Sequence, residues 1–302
     1  LKRRISRLAP TDRPSSAEEK LLVANPHIAI DQNWIADTRR LIDQHLDTLL
    51  ASSQTSPVAE AMRYSVLAQG KRIRPLLTLA VASYFGVRPA AAMHVACALE
   101  MIHSASLILD DLPCMDNDRE RRNRVATHVR YGESLTILAA VSLLTQSCCT
   151  IASHQSLEPD LRLKLVQMLC DTVGPHGLSL GQYIDLHGVA GMATPSAITN
   201  IHHLKTGVLF LAAARAGCLI AKASPAQEEK VMRFTNNIGL AFQLLDDLKD
   251  MDSPGTNMVA HIGVSGAQRR LQDYLDAAND AIAGERNAGM LHGFADAFFS
   301  RA

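Results

Sequence analysis

The sequence predicts an all-α fold, a single large helical bundle around a deep central cavity. From Ile30 onward, apolar residues recur almost everywhere at three-to-four-residue spacing, the period of a helix with one buried face. Proline and glycine breakers fall between these stretches, which divides the pattern into separate helices. No run shows the strict alternation expected of a half-buried strand.

The elements follow in order. Ile35, Leu41, Ile42, Leu46, Leu49 and Leu50 mark the first amphipathic helix. Further helical stretches are read over 57–69, 75–85, 89–111, 132–153, 159–173, 196–221, 226–251 and 266–284. Gly70, Pro75, Gly86 with Pro89, Pro113, Pro159, Gly174 with Pro175, Pro195, Pro225 and Pro254 separate them. The segments 89–111, 205–221 and 238–245 are apolar nearly all round, as expected of helices at the centre of a bundle. Residues 30–302 therefore read as one all-α domain of about ten helices. Residues 1–29 are basic and then rich in Pro and Ser. They are expected to form a disordered tail, because Asp12, Glu18 and Glu19 do not suit an organelle-targeting peptide.

Composition narrows the function. The 302 residues are 47% hydrophobic, enough for a large core, and carry 30 basic and 30 acidic side chains. A nucleic-acid binder usually shows a basic excess, so nucleic acid is excluded as the expected partner. No uninterrupted apolar stretch reaches the ~18 residues of a membrane span, so no transmembrane segment and a cytoplasmic location are expected. Cys97, Cys114, Cys148, Cys149, Cys170 and Cys218 show no metal-ligand spacing and read as buried, reduced thiols.

Two acidic clusters carry the chemistry. Asp110, Asp111 and Asp116 follow one apolar stretch, and Asp246, Asp247 and Asp250 end another. Asp246 and Asp250 are four apart and share a helix face. Asp116 would fall on the wrong side of a continuous helix, but Pro113 can end the helix and let a loop bring it back. Paired carboxylates at the end of an apolar helix are costly unless a positive charge compensates. Mg²⁺ supplies that charge and is typically held by a few carboxylates together with substrate phosphates.

A basic set accompanies them. Lys71, Arg72 and Arg74 crowd a loop-to-helix junction, Arg121, Arg122 and Arg124 follow the first acidic cluster, and His103 lies two turns before Asp110. Lys205 precedes Thr206 near another apolar stretch. Arg offers a fork of donors and Lys a point charge, both suited to phosphate. Each group alone reads as a solvated face or a satisfied core residue. Together they describe two anion pockets, one metal-lined and one lined by cations only.

At these residues the sequence resembles the trans-isoprenyl diphosphate synthases, most closely the bacterial geranylgeranyl diphosphate synthases of carotenoid pathways. The resemblance covers about residues 30–250. It is carried by Gly70-Lys71-Arg72-Ile73-Arg74-Pro75, Glu100-Met101-Ile102-His103, Asp110-Asp111-Leu112-Pro113-Cys114-Met115-Asp116, the pair Arg121-Arg122, residues 181–186 (GQYIDL), Lys205-Thr206-Gly207 and residues 242–250 (FQLLDDLKD).

The resemblance implies an isoprenoid-synthase type of bundle and a homodimer. It implies Mg²⁺, three ions per site, held by Asp110, Asp111, Asp116, Asp246, Asp247 and Asp250 against an allylic diphosphate that Arg121 and Lys205 also touch. Lys71, Arg74, His103 and Arg122 would bind isopentenyl diphosphate without metal. Thr206, Gln182 and Gln243 would line the region where the allylic cation forms. No side-chain nucleophile is needed.

Ala105 and Ser106 sit four to five residues before Asp110, about 6–7.5 Å down a helix. Their small size, with the resemblance, implies a twenty-carbon product, geranylgeranyl diphosphate. Met101 and Ile102 are candidates for the floor of the chain site.

One departure stands out. The family's lysine-bearing loop after Asp250 is replaced by residues 251–260 (MDSPGTNMVA), short and without lysine. Losing one cation from a closing lid would cost about 10²–10³-fold by analogy with a lost oxyanion donor, so a slow enzyme is expected. The turn at 123–126 (NRVA) also departs from the family's Gly and Pro. The rival readings are a non-catalytic prenyltransferase subunit, which the short loop favours, and a class I terpene cyclase, which needs no metal-free diphosphate pocket.

Overall fold

The computed structural model describes residues 30–51, 56–188, 204, 207–249 and 257–299. The expected tail at 1–29 lies outside the described residues, as do Lys205, Thr206, Asp250 and residues 251–256 of the shortened loop.

The chain opens with α1 (Gln32–Leu49), whose first turn is capped by Asp31 accepting from the Trp34 amide at 2.8 Å, a standard use of a short carboxylate at a helix start. Next come α2 (Pro57–Val66), α3 (Ile73–Tyr84) and α4 (Pro89–Asp110). Proline begins α2 and α4, where its missing N–H costs nothing. A two-stranded antiparallel ribbon, β1 (Glu120–Arg121) and β2 (Arg124–Val125), leads to the short α5 (Thr127–Tyr131). Then follow α6 (Glu133–Ala152), α7 (Pro159–Val173), α8 (Leu178–His187), α9 (Val208–Ala221), α10 (Pro225–Lys249), α11 (Met258–Ala281) and α12 (Ala288–Phe299).

The all-α expectation holds, and α3, α4 and α9 occupy the centre. α3 is buried along almost its whole length, and α4 packs against α3, α6 and α9. α9 and α3 approach closely because Gly217 has no side chain: a Cβ there would meet Val81 Cγ1 at 2.7 Å and the Thr78 carbonyl at 3.0 Å. Thr78 uses that proximity to donate to the Ala213 carbonyl at 3.0 Å.

Several details differ from the sequence reading. The ribbon was unreadable because two-residue strands carry no periodicity. It forms because Arg122 and Asn123 both take positive φ, 54° and 57°, as a tight hairpin turn requires. α11 starts at Met258, ahead of the stretch read from 266, because Asn257 caps it by accepting from the Val259 amide at 2.8 Å. Gly263, at φ 69°, kinks this helix and interrupts its apolar period. α12, packed against α3, was missed altogether.

By length and average hydropathy, α4 and α6 are also long enough to cross a membrane, although neither is an uninterrupted apolar run. α4 is mostly buried within the bundle, whereas α6 leaves much of its window outside the core.

Candidate functional site

α4 ends at Asp110, and the following loop folds back so that the Asp116 amide donates to the Asp110 carbonyl at 2.9 Å. The loop return anticipated from Pro113 is therefore present. A cavity of about 980 Å³ opens beside this helix end. His103 and Leu107 of α4 line it, together with Gln243 and Asp246 of α10. Asp110 lies three residues beyond Leu107 and seven beyond His103, so it continues the face that these two present. Of the two acidic clusters, the second reaches the cavity through Asp246, while Asp110 itself does not line it and stands one turn beyond Leu107.

The two members of each aspartate pair are used differently. Asp246 lines the cavity. Asp247 is buried and accepts from the Met258 amide at 2.9 Å, while its carbonyl accepts from Asn257 Nδ2 at 3.0 Å. It thereby anchors the start of α11. Asp111 is buried and accepts from Arg121 Nε at 2.8 Å. Burial, the largest influence, raises its pKa, and Arg121 opposes that rise. Asp111 Oδ2 is buried with no hydrogen-bond partner. The hard-oxygen donors of Asp110, Asp116 and Asp246 and the orphaned Asp111 oxygen fit Mg²⁺ chemically. Among the described residues no group of three His, Cys, Asp or Glu is gathered tightly enough to hold a metal by itself; Asp250 lies outside them.

The cavity is otherwise strongly cationic. Lys71, Arg74, Arg121 and Arg122 all line the cavity with His103. Lys71 Nζ lies 5.1 Å from the Phe242 ring centre and the Arg74 guanidinium 5.2 Å from that of Phe210, cation–π contacts that hold the two side chains in place. Gly70 makes room for Arg122, whose Nη1 would stand 3.0 Å from a Cβ at that position. The ribbon presents Arg121 at the end of β1 and Arg122 in the turn.

Crowded cations alter one another. Burial, aided by Arg122, lowers the Arg74 pKa to about 10, although Glu100 and Asp246 oppose the shift. Arg74 remains charged at neutral pH. For Arg121, burial works against the charge, but Asp111, Asp118 and Asp110 outweigh it and raise its pKa. The His103 pKa falls well below the usual imidazole range, first through burial and then through Arg74, Arg122, Arg72 and Arg121. His103 is therefore neutral at pH 7.

Arg72 departs from the grouping suggested by sequence. It is buried and donates to Asp43 and Glu100, each at 2.7 Å, and to the carbonyls of Val66 and Ala68 at 2.8 and 2.9 Å. With φ at 52° it caps α3, and although it also borders the cavity, its guanidinium is committed to these protein partners. Glu100, also buried, lies 3.8 Å from Arg122, so it links the structural arginine to one on the cavity wall.

Sequence reasoning did not single out Arg39, Asp43, Gln69, Glu100 or Asn123 as cavity residues, yet all line it. Arg39 Nε is buried without a hydrogen-bond partner. It sits on an ordinary amphipathic helix, and no local signal marks it. Gln182 of α8 does not line this cavity and has a buried, unpartnered Nε2.

The proposed chain-length residues lie lower on α4. Ile102 borders a second, apolar cavity of about 510 Å³ with Leu144, Leu169 and Val173. At about 100° per residue, Ser106 and Ala105 flank the direction of Ile102, at about 40° on one side and about 60° on the other. Ala105 is fully buried, and Ser106 is half-buried with its hydroxyl on the His103 carbonyl at 2.9 Å. Met101 is fully buried and points about 180° away from Asp110.

Known proteins resemble this chain over most of its length. The polyprenyl synthetase family model matches residues 55–261. A geranylgeranyl diphosphate synthase of Pseudescherichia vulneris is 40% identical over 255 residues, 80% of this chain and 83% of that protein. One of Pantoea ananas is 36% identical over 292 residues, 92% of this chain and 95% of that protein. A farnesyl diphosphate synthase of Geobacillus stearothermophilus is 37% identical over 236 residues, 72% and 80% of the two chains. Among solved structures, an FPP/GFPP synthase from Zymomonas mobilis superposes with a TM-score of 0.83 at 30% identity, covering 88% of this chain and 98% of that one.

Proposed function

The chain belongs to the polyprenyl synthetase family, and on that premise we propose that it condenses an allylic diphosphate with isopentenyl diphosphate to give geranylgeranyl diphosphate. The observation that carries this reading is one cavity lined by Asp246 together with Lys71, Arg74, His103, Arg121 and Arg122, with the Asp110 helix end one turn beyond its Leu107. The carboxylates with Arg121 suit a diphosphate that leaves, and Lys71, Arg74 and Arg122 a diphosphate that stays.

Each residue acts through charge and position. Asp110 and Asp246, with Asp116, would hold Mg²⁺, which when bound supplies positive charge to stabilise the departing diphosphate. Arg121, kept in place by Asp111 and Asp118, adds a fixed guanidinium to that leaving group. Lys71, Arg74 and Arg122 orient isopentenyl diphosphate so that its double bond lies close to the allylic carbon. Neutral His103 donates one N–H to the same diphosphate. Phe242 and Gln243 line the same cavity and help exclude water from the cation. Ala105 and Ser106 leave room for a growing chain, and Ile102 with its apolar cavity receives the tail.

Metal-free binding of isopentenyl diphosphate tests the proposal by calorimetry in the presence of a chelator. Retained binding is expected, and Arg122→Ala should weaken it about ten- to hundred-fold, given ~1.5–3 kcal/mol per charged hydrogen bond. A strict requirement for Mg²⁺ in this binding would favour the cyclase reading instead.

A further inference from the structure

The six cysteines were expected to be buried, but only Cys97 and Cys218 are; Cys114, Cys149 and Cys170 are exposed and Cys148 is half-buried. Cys148 of α6 and Cys170 of α7 both line the apolar cavity that contains Ile102, and α6 and α7 pack against each other. Cys170 stands near enough to contribute to a raised Cys148 pKa. Cys149 points about 100° away around α6 and does not line this cavity. Neither Cys148 nor Cys170 has a part in the diphosphate chemistry, so their placement on one cavity wall is unexplained by the proposed reaction.

We propose that Cys148 and Cys170 are a reversible disulfide pair that staples α6 to α7 along the wall of the apolar cavity. The oxidant is a low-molecular-weight disulfide. The exposed Cys170, as thiolate, attacks one of its sulfurs and releases one small thiol, leaving a mixed disulfide. The Cys148 thiol then gives up its proton, attacks the Cys170 sulfur and displaces the second small thiol. Two protein thiols and one small disulfide become one protein disulfide and two small thiols. Two electrons pass to the small molecule, and the released thiols keep the two protons. Burial and the neighbouring Cys170 raise the Cys148 pKa, which suits Cys148 to the second, intramolecular step, where proximity replaces intrinsic reactivity.

The test treats the full folded chain with oxidised glutathione, quenches it with acid, alkylates remaining thiols under denaturing conditions and maps unreduced peptides by mass spectrometry. The expected result is a Cys148–Cys170 cross-linked peptide, with four of the six thiols still alkylated and all six recovered after dithiothreitol. Cys149→Ser should retain the link. Cys170→Ser should abolish it and leave Cys148 reduced or carrying glutathione. Glutathione adducts alone on the unsubstituted chain, or a link through Cys149 in place of Cys148, would overturn the proposal. The readout does not involve turnover, so it stands or falls separately from the prenyl-transfer reading.

Discussion

His103 shows how strongly residue identity depends on its neighbours. Surrounded by four arginines, it is neutral in the free protein. An incoming diphosphate offsets that repulsion and raises its pKa, so binding should take up a fraction of a proton near pH 7. Calorimetry of isopentenyl diphosphate binding in two buffers with different ionisation enthalpies measures this uptake, and His103→Asn should remove it. The motif around 70–75 made Lys71 and Arg74 readable as anion-binding residues, but it could not separate them from Arg72. That distinction depends on the left-handed backbone at Arg72 and on Glu100, 28 residues away in sequence. Glu100→Gln should therefore cost about 3–5 kcal/mol of stability, because it leaves a buried guanidinium poorly compensated. Denaturant unfolding would measure that loss, whereas substituting Lys71 should affect binding far more than stability.

Among the elements, α4 does most to position the site. It presents Asp110, His103 and Leu107 along one face and carries Ile102 to the apolar cavity. Ser106→Phe or Ala105→Tyr, each flanking the Ile102 direction, should shorten the product to fifteen carbons, as read by chromatography and mass spectrometry of the prenyl alcohols. An unchanged product profile would remove these residues from chain-length control.

α4 also joins a cluster of three imidazoles. The His94 ring lies 4.0 Å from His154, beyond α6, and 4.7 Å from His45 on α1. Burial, His154 and His45 lower the His94 pKa from 6.5 to about 4. The unfolded chain therefore protonates first on acidification. Stability present above about pH 6.5 should be lost as pH falls toward 4, and His94→Gln should flatten that part of the melting-temperature profile. The long helices were legible because their apolar period is unbroken over many residues. The arginine-bearing ribbon was not, because its form depends on two positive-φ residues in sequence that otherwise resembles a loop.

For the whole molecule, the central helices and their acidic ends could be read from sequence, whereas the way α1, α10 and the ribbon close around them could not. That closure is made by contacts distant in sequence, such as Arg72 with Asp43 and Asp247 with the start of α11. α6 leaves Ile137, Leu138 and Val141 exposed by 44, 54 and 53% on neighbouring helical positions. We expect a second copy to cover this face, and Leu138→Glu with Val141→Glu should convert a dimer to a monomer in sedimentation velocity.

Prenyl transfer here requires two diphosphates to share one cavity, one held with Mg²⁺ and one without. The most direct measurement incubates the full chain with farnesyl diphosphate and isopentenyl diphosphate, with and without Mg²⁺, and determines product chain length. A slow, Mg²⁺-dependent formation of geranylgeranyl diphosphate that is lost in Asp246→Asn is the predicted result. Absence of any elongated product from the wild-type chain with Mg²⁺, or equal product from Asp246→Asn, would contradict it.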